Sequence, residues 1–151
     1  VITAQVEPWH PTIDEMKPLL PLHWAELALN QDKVPLQPQW HVYDARDARG
    51  ELVLVTLREL GVLLGYFIGF VAPGLHYETC LTCTMDIFYV HPEHRTKRGG
   101  IILFKAVEAE LKRRGVDRWF VGSKIHADAS PLFERLKFSK VETYYTKWLG
   151  D

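Results

Sequence analysis

The chain has 151 residues, 47% of them hydrophobic, 12% aromatic and 25% charged, which suits one globular domain spanning 1–151 and is too apolar for a disordered chain. Its formal charge of -1, from 18 basic against 19 acidic residues, offers no basic field for general nucleic-acid binding. No apolar run reaches the roughly 18 residues of a membrane span, and the start lacks the basic and apolar regions of a signal peptide. A cytoplasmic protein with no nucleic-acid and no membrane partner is therefore expected.

Six of the nine prolines lie in residues 1–40. Thr12 followed by Ile13, Asp14 and Glu15 reads as an N-cap and an acidic first turn, so a helix is predicted there, shortened or kinked by Pro18 and Pro21. A second helical piece covers 22–29, and 30–40 reads as a loop. Two strand-like runs, Leu52–Glu59 and 62–70, flank the hairpin signal Leu60-Gly61. Their continuous apolarity predicts a sheet covered on both faces. A third run, 81–90, stops at His91-Pro92.

Cys80 and Cys83 form a lone C-x-x-C within this third run. Strand residues three apart point to opposite faces, so two reduced packing cysteines are expected rather than a redox pair. The seven histidines form no H-x-H or H-E-x-x-H arrangement, and no metal is expected.

Residues 100–114 make the strongest helix. Ile101, Phe104, Val107 and Leu111 follow the 3.6-residue period, Glu108 with Lys112 and Glu110 with Arg114 are favourable i, i+4 pairs, and Gly115 ends it. A strand over 118–122 should lie parallel to 81–90 through a right-handed crossover. Ser130-Pro131 reads as the N-cap and first residue of another helix, and 141–149 alternates well enough for a final strand.

The chemistry concentrates where the third strand, a basic turn and the 100–114 helix meet. First-turn amides lack intrahelical acceptors and the helix dipole is positive there, Gly99 and Gly100 allow close backbone approach, and Arg95, Lys97 and Arg98 add cations for a diphosphate. There is no G-x-x-x-x-G-K-[ST] and no G-x-G-x-x-G after a first strand, so neither a P-loop nor a dinucleotide fold is indicated.

The segment MDIFYVHPEHRTKRGGIILF at 85–104 resembles the acetyl-CoA motif of the GNAT superfamily of N-acetyltransferases, a strand ending near V-x-P-x-x-R and then R/Q-x-x-G-x-G/A. Arg95 and Gly100 fit that pattern, while Arg98 stands where its first glycine is usual. SPLFERLKF at 130–138 is similar to the family's lYekLGF segment. The likeness covers about 52–149 and extends to small members encoded by phages and prophages.

The resemblance implies an α+β fold: a mixed, mostly antiparallel central sheet with one splayed parallel strand pair, flanked by about four helices. It also implies an acetyl-CoA-dependent N-acetyltransferase acting by direct attack of a small-molecule or protein amine in a ternary complex. Backbone groups of Phe88, Tyr89 and Val90 would hold the pantetheine. Arg95, Thr96, Lys97, Arg98, Gly99, Gly100 and Ile101 would surround the phosphates, with Ser130 and Phe133 completing the cofactor contacts.

Transfer to an amine needs a base, because only the neutral nitrogen is nucleophilic, and an acid for the departing thiolate. Asp86, interrupting an apolar strand, is the leading base, with a cap on a strand bulge as its structural alternative. Many relatives place a tyrosine where this chain has Phe133; among His126, Ser130, Tyr144 and Tyr145 as replacement acids, His126 is favoured for its near-neutral titration. The alternative to an enzyme is a catalytically weak CoA-binding sensor or interaction module. Assembly stays open, with a homodimer as the commonest arrangement.

Overall fold

The computed structural model describes the backbone of residues 1–151 and every side chain except those of Thr96 and Lys97. Its strands β1 (Ile2–Val6), β2 (Leu52–Glu59), β3 (Val62–Gly74), β4 (Tyr77–Val90) and β5 (Arg118–Phe120) form one sheet in that spatial order. Neighbours from β1 to β4 are antiparallel and β5 is parallel to β4. Helices α1 (Trp9–Met16), α2 (Leu20–Leu27), α3 (Trp40–Ala48), α4 (Gly99–Arg113) and α5 (Ser130–Arg135) flank it, with a 3-10 turn, Lys17–Leu19, joining the first two. This is the expected α+β architecture, including the parallel pair. Among the described residues, no helix is long and apolar enough to cross a membrane.

The sheet separates two apolar clusters, as the continuous runs require. On one face α4 presents Leu103, Phe104, Val107 and Leu111 to Val53, Val55, Leu57, Phe67 and Val90. On the other, Trp9, Ile13 and Met16 of α1 cover Leu52, Leu54, Tyr66, Ile68 and Tyr89. The β2–β3 hairpin turns through Leu60 and Gly61, both with positive φ. Cys83 is fully buried and Cys80 half-buried, both unbridged, as their strand spacing predicts.

Several expectations are corrected. Thr12 does not cap a helix: α1 starts at Trp9, with Pro8 before it and Thr12 buried inside. Ser130 does not cap α5 either, since it is already helical; the Asp128 carboxylate accepts its N–H at 2.9 Å and the Ser123 hydroxyl accepts that of Ala129 at 2.7 Å. The third and second strands run longer than read, from Tyr77 and to Gly74, and β5 ends at Phe120 rather than at 122. The final strand at 141–149 is absent; that segment belongs to no helix or strand. Two elements were not anticipated, β1 and α3.

Glu110 carries the main electrostatic tie of α4. Its buried carboxylate accepts from Arg113 at 2.7 and 2.8 Å and from Arg114 at 2.8 Å, and Arg114 also donates to the Leu52 carbonyl at 3.1 Å. The Arg113 hydrogen bond leads in holding its pKa down at about 2. A depressed carboxylate stabilises the fold above its unfolded pKa and loses that contribution as pH falls through the folded value. Wild-type stability should therefore decline between about pH 5 and pH 2, and Glu110→Gln should be less stable at neutral pH with a flatter acid limb, as read by denaturant titration across pH.

Gly65 sets the close approach of β3 to the end of β4. A Cβ there would lie 2.4 Å from the Tyr89 carbonyl oxygen, a backbone atom that cannot swing aside. Gly65→Ala should cost about 3 kcal/mol, the upper part of the overpacking range, and lower Tm by roughly 6–12 °C for a chain of this size. An unchanged Tm would show that the strands separate freely there.

Candidate active site

The parallel pairing of β4 with β5 covers only Thr82 to Thr84, so β4 continues to Val90 with no strand on that side. His91 donates its N–H to Leu64 on β3 at 2.7 Å. Because hydrogen-bonded and non-bonded pairs alternate in an antiparallel ladder, the Tyr89 backbone also faces β3, whereas those of Phe88 and Val90 face the open edge. The Val90 carbonyl there accepts the Arg95 Nε at 2.8 Å. Of the three residues expected at the pantetheine, Phe88 and Val90 thus have backbone groups on the open edge, and Tyr89 has its own on β3.

The α4 N-terminus follows after a 3-10 stretch, Pro92–Lys97. Arg98 precedes it in the left-handed conformation, φ 62°, and its own side chain makes no capping hydrogen bond. This is the position where the motif has a glycine, and glycine alone takes that conformation without steric cost. The amides of Gly99, Gly100 and Ile101 lack helical acceptors by position, while that of Ile102 bonds Arg98 at 3.0 Å. No acidic side chain occupies the first turn. A helix start with orphan amides and no acidic residue in its first turn fits the anionic pyrophosphate of CoA.

The glycines there have packing reasons as well. A Cβ on Gly99 would meet the His94 carbonyl and Leu57 at 3.1 Å and Val90 at 3.2 Å, and one on Gly100 would meet Leu132 of α5 at 3.1 Å. Arg95 is engaged elsewhere: its guanidinium pairs with Glu26 of α2 at 2.6 and 2.7 Å. The side chains of Thr96 and Lys97, also expected at the phosphates, lie outside the described residues. Arg98 is exposed. Phe133 is buried in an aromatic cluster, its ring 6.0 Å from Phe88 and 5.6 Å from Phe104 and Phe138.

Asp86 lies in a β-bulge. Ile68 pairs with Ile87 and Gly69 with Met85, leaving Asp86 as the extra residue. Tyr43 of α3 donates its hydroxyl to Asp86 Oδ2 at 2.6 Å. Burial is the leading effect on the carboxyl and pushes its pKa up, against the Tyr43 hydrogen bond and nearby Arg46, which pull it down. Burial and the Asp86 charge push the Tyr43 hydroxyl up in turn. Asp86 thus sits at a bulge, as a half-buried carboxyl that accepts a hydrogen bond from Tyr43.

Tyr43 was missed because α3 was not anticipated; the signal was Trp40 and Tyr43 at i, i+3. Tyr43 stacks on Trp9 at 5.2 Å, while Trp9 Nε1 donates to Asp44 at 2.8 Å. His126 lies on the loop before α5 with Nε2 3.0 Å from the Leu27 carbonyl at the end of α2. On the turn before α4, ligating atoms of His91, Glu93 and His94 lie within 4.8 Å of one another; the Glu93 N–H donates to His91 Nδ1 at 3.4 Å, an interaction of the turn itself.

The model of the Acetyltransferase (GNAT) family matches residues 16–138. No curated protein matches the sequence. Among solved structures, a ribosomal-protein-alanine N-acetyltransferase from Brucella melitensis biovar Abortus 2308 is similar at 18% identity and TM-score 0.76, over 100% of this chain and 99% of that one. An aminoglycoside acetyltransferase from an uncultured soil metagenomic sample is similar at 14% identity and TM-score 0.75, over 99% of each. A transcriptional regulator from Bacillus halodurans C-125 reaches 15% and 0.75, over 99% of this chain and 100% of that one. These likenesses share the fold, and the family match spans most of the chain: it belongs to the GNAT family and is an acetyl-CoA-dependent N-acetyltransferase.

Proposed function

We propose that residues 1–151 act as a single catalytic domain that acetylates a primary amine by direct attack in a ternary complex, with Asp86 as the base. The observation that carries this reading is the Asp86–Tyr43 pair, a half-buried carboxyl with raised proton affinity on the strand whose pairing with β5 ends two residues earlier. Bound acetyl-CoA supplies the activated acetyl thioester. The α4 amides would hold its phosphates, and the Phe88 and Val90 backbones its pantetheine amides. Asp86 accepts the proton that an incoming ammonium must shed, and Tyr43 holds the carboxylate oriented.

The acid for the departing thiolate is taken to be His126, on the loop between β5 and α5. Acetyltransferases of similar fold that act on aminoglycosides and on ribosomal-protein alanine support an amine acceptor, small molecule or protein. Reduced, unbridged cysteines suit the cytoplasm, and a homodimer is the proposed assembly. The likeness to phage- and prophage-encoded members rests on the sequence motifs alone. A second reading, a weakly catalytic CoA-binding sensor, draws on Phe133, which brings no hydroxyl; thioester turnover against an amine panel separates the two.

Asp86→Asn should slow single-turnover acetyl transfer roughly 10²-fold to 10⁴-fold, the range for an acid–base group, with acetyl-CoA affinity unchanged. Tyr43→Phe removes the hydrogen bond that favours the charged carboxylate, so the acid limb of its pH–rate profile should move to higher pH. The assay is thiol release with polyamines, aminoglycosides and an alanine-terminated peptide. A wild-type rate and pH profile in Asp86→Asn would remove Asp86 from the chemistry.

The phosphate site has a separate test. Gly100→Val should weaken calorimetric acetyl-CoA binding at least tenfold, whereas Arg98→Ala should change it little, because an exposed charge is screened. Since Gly100 also abuts Leu132, Gly100→Val with Leu132→Ala relieves that crowding. Affinity should stay low in the double variant; its recovery would assign the loss to α5 packing instead.

A further inference from the structure

The sheet face covered by α1 and α3 also holds a cleft. Phe70 follows Ile68 on that face, and it pairs with Thr84 while Ala72 pairs with Thr82. Residues opposite one another in an antiparallel pair share a face, so both threonines open on the side where Tyr43 meets Asp86. Beside them lies a cavity of about 400 Å³, walled by Arg46 of α3, Arg49 just after it, Phe70, Ala72, Thr82 and Thr84. That is room for a small molecule.

The two arginines of the cleft differ. Arg49 is satisfied by Glu51, at 2.9 and 3.2 Å. Arg46 is half-buried with its guanidinium over the Phe70 ring, 4.1 Å from the centroid, and among the described residues it makes no ion pair and no side-chain hydrogen bond. Stacking engages the flat face of a guanidinium and leaves its in-plane N–H donors for an anion. Arg46 stands three residues after Tyr43, so the two are neighbours on one side of α3. Burial raises the pKa of both Asp86 and Tyr43, and Arg46 is near enough to oppose that rise at each. One helix turn thus reaches the candidate base with one side chain and the cleft with the next.

We propose that the acceptor is a small amine carrying a carboxylate or a phosphate in the same molecule, its anion held by Arg46 in this cleft and its nitrogen turned to Asp86. This rests on the acetyl-transfer reading above and names its substrate class. A guanidinium forms paired, charge-assisted hydrogen bonds with either anion, and the exposed Thr84 adds a hydroxyl donor. A polyamine would instead bring like charge to Arg46, and an uncharged amine would leave the guanidinium unmatched. In the transfer the amine nitrogen bonds the acetyl carbon as the thioester C–S bond breaks. Of the two protons the ammonium sheds, one passes to Asp86 and one to the departing thiolate.

The test compares glycine, β-alanine and phosphoethanolamine with ethanolamine, by thiol release from acetyl-CoA and by calorimetric titration of the CoA-loaded protein. In the wild type, kcat/KM and affinity should favour the anionic amines by about 10-fold to 100-fold, the worth of a hydrogen-bonded charge, and the carboxylate and phosphate arms show which anion the cleft takes. Arg46→Gln should bring that ratio close to one, mainly through KM, and Arg46→Lys should keep part of it. Any effect of Arg46 on Asp86 is common to all four amines and cancels in the ratio. A wild type that takes ethanolamine or a polyamine as well as the anionic amines overturns the proposal without any variant, and so does a ratio that Arg46→Gln leaves unchanged. Transfer indifferent to the anion sinks the cleft and spares the catalytic reading. Binding that follows the anion through Arg46 with no transfer spares the cleft and sinks the catalysis.

Discussion

The parallel ladder between β4 and β5 stops after three residues, and the backbone groups of β4 beyond Thr84 must find partners elsewhere. Buried polar backbone cannot be left unmatched at a cost of less than a hydrogen bond each. One answer is internal, the Arg95 guanidinium on the Val90 carbonyl. For the remaining groups facing that edge, the cofactor amides of a CoA-dependent family are the chemical match. The start of α4 beyond the 3-10 stretch Pro92–Lys97, where Arg98 makes no capping hydrogen bond, extends the same logic from amide to phosphate.

The two faces of the sheet divide the labour. The α4 side is apolar and aromatic, with Phe88, Phe104, Trp119, Phe133 and Phe138 in mutual contact, and it fixes where the helix start and β4 meet. On the opposite side the aromatics carry polar ends: His23 with Tyr66, Trp9 with Asp44, Tyr43 with Asp86. Burial there holds His23 neutral, its pKa lowered to about 4, and raises that of Asp86. A low-dielectric wall with a few directed hydrogen bonds is where a carboxyl becomes a stronger proton acceptor without losing its orientation.

What could be read from residues alone were the elements whose signals are local and strong. Leu52–Glu59 is a continuous apolar run closed by Gly61, and α4 follows the helical period through Ile101, Phe104, Val107 and Leu111. The junction of β4 with α4 was readable because a strand, a proline stop, basic residues and paired glycines stand in one short segment. Elements that depend on distant partners were not. β1 is five residues with Gln5 inside, and it is a strand only because β2 lies beside it. Helix α3 has no fully buried residue and is defined by Trp9, Phe70 and Asp86, which are far away in sequence. The 141–149 segment shows the converse: its alternation was real, but a strand needs a neighbour, and no local pattern says which edge will supply one.

Cys83 stands three residues before Asp86 on β4, paired across the parallel ladder with Trp119. Burial pushes its thiol up to about 12, so at neutral pH it stays protonated. Thioester exchange proceeds through thiolates. A sulfur fully buried in the paired stretch of β4 is therefore a poor nucleophile, and the strand carries a cysteine without becoming a self-acylating one.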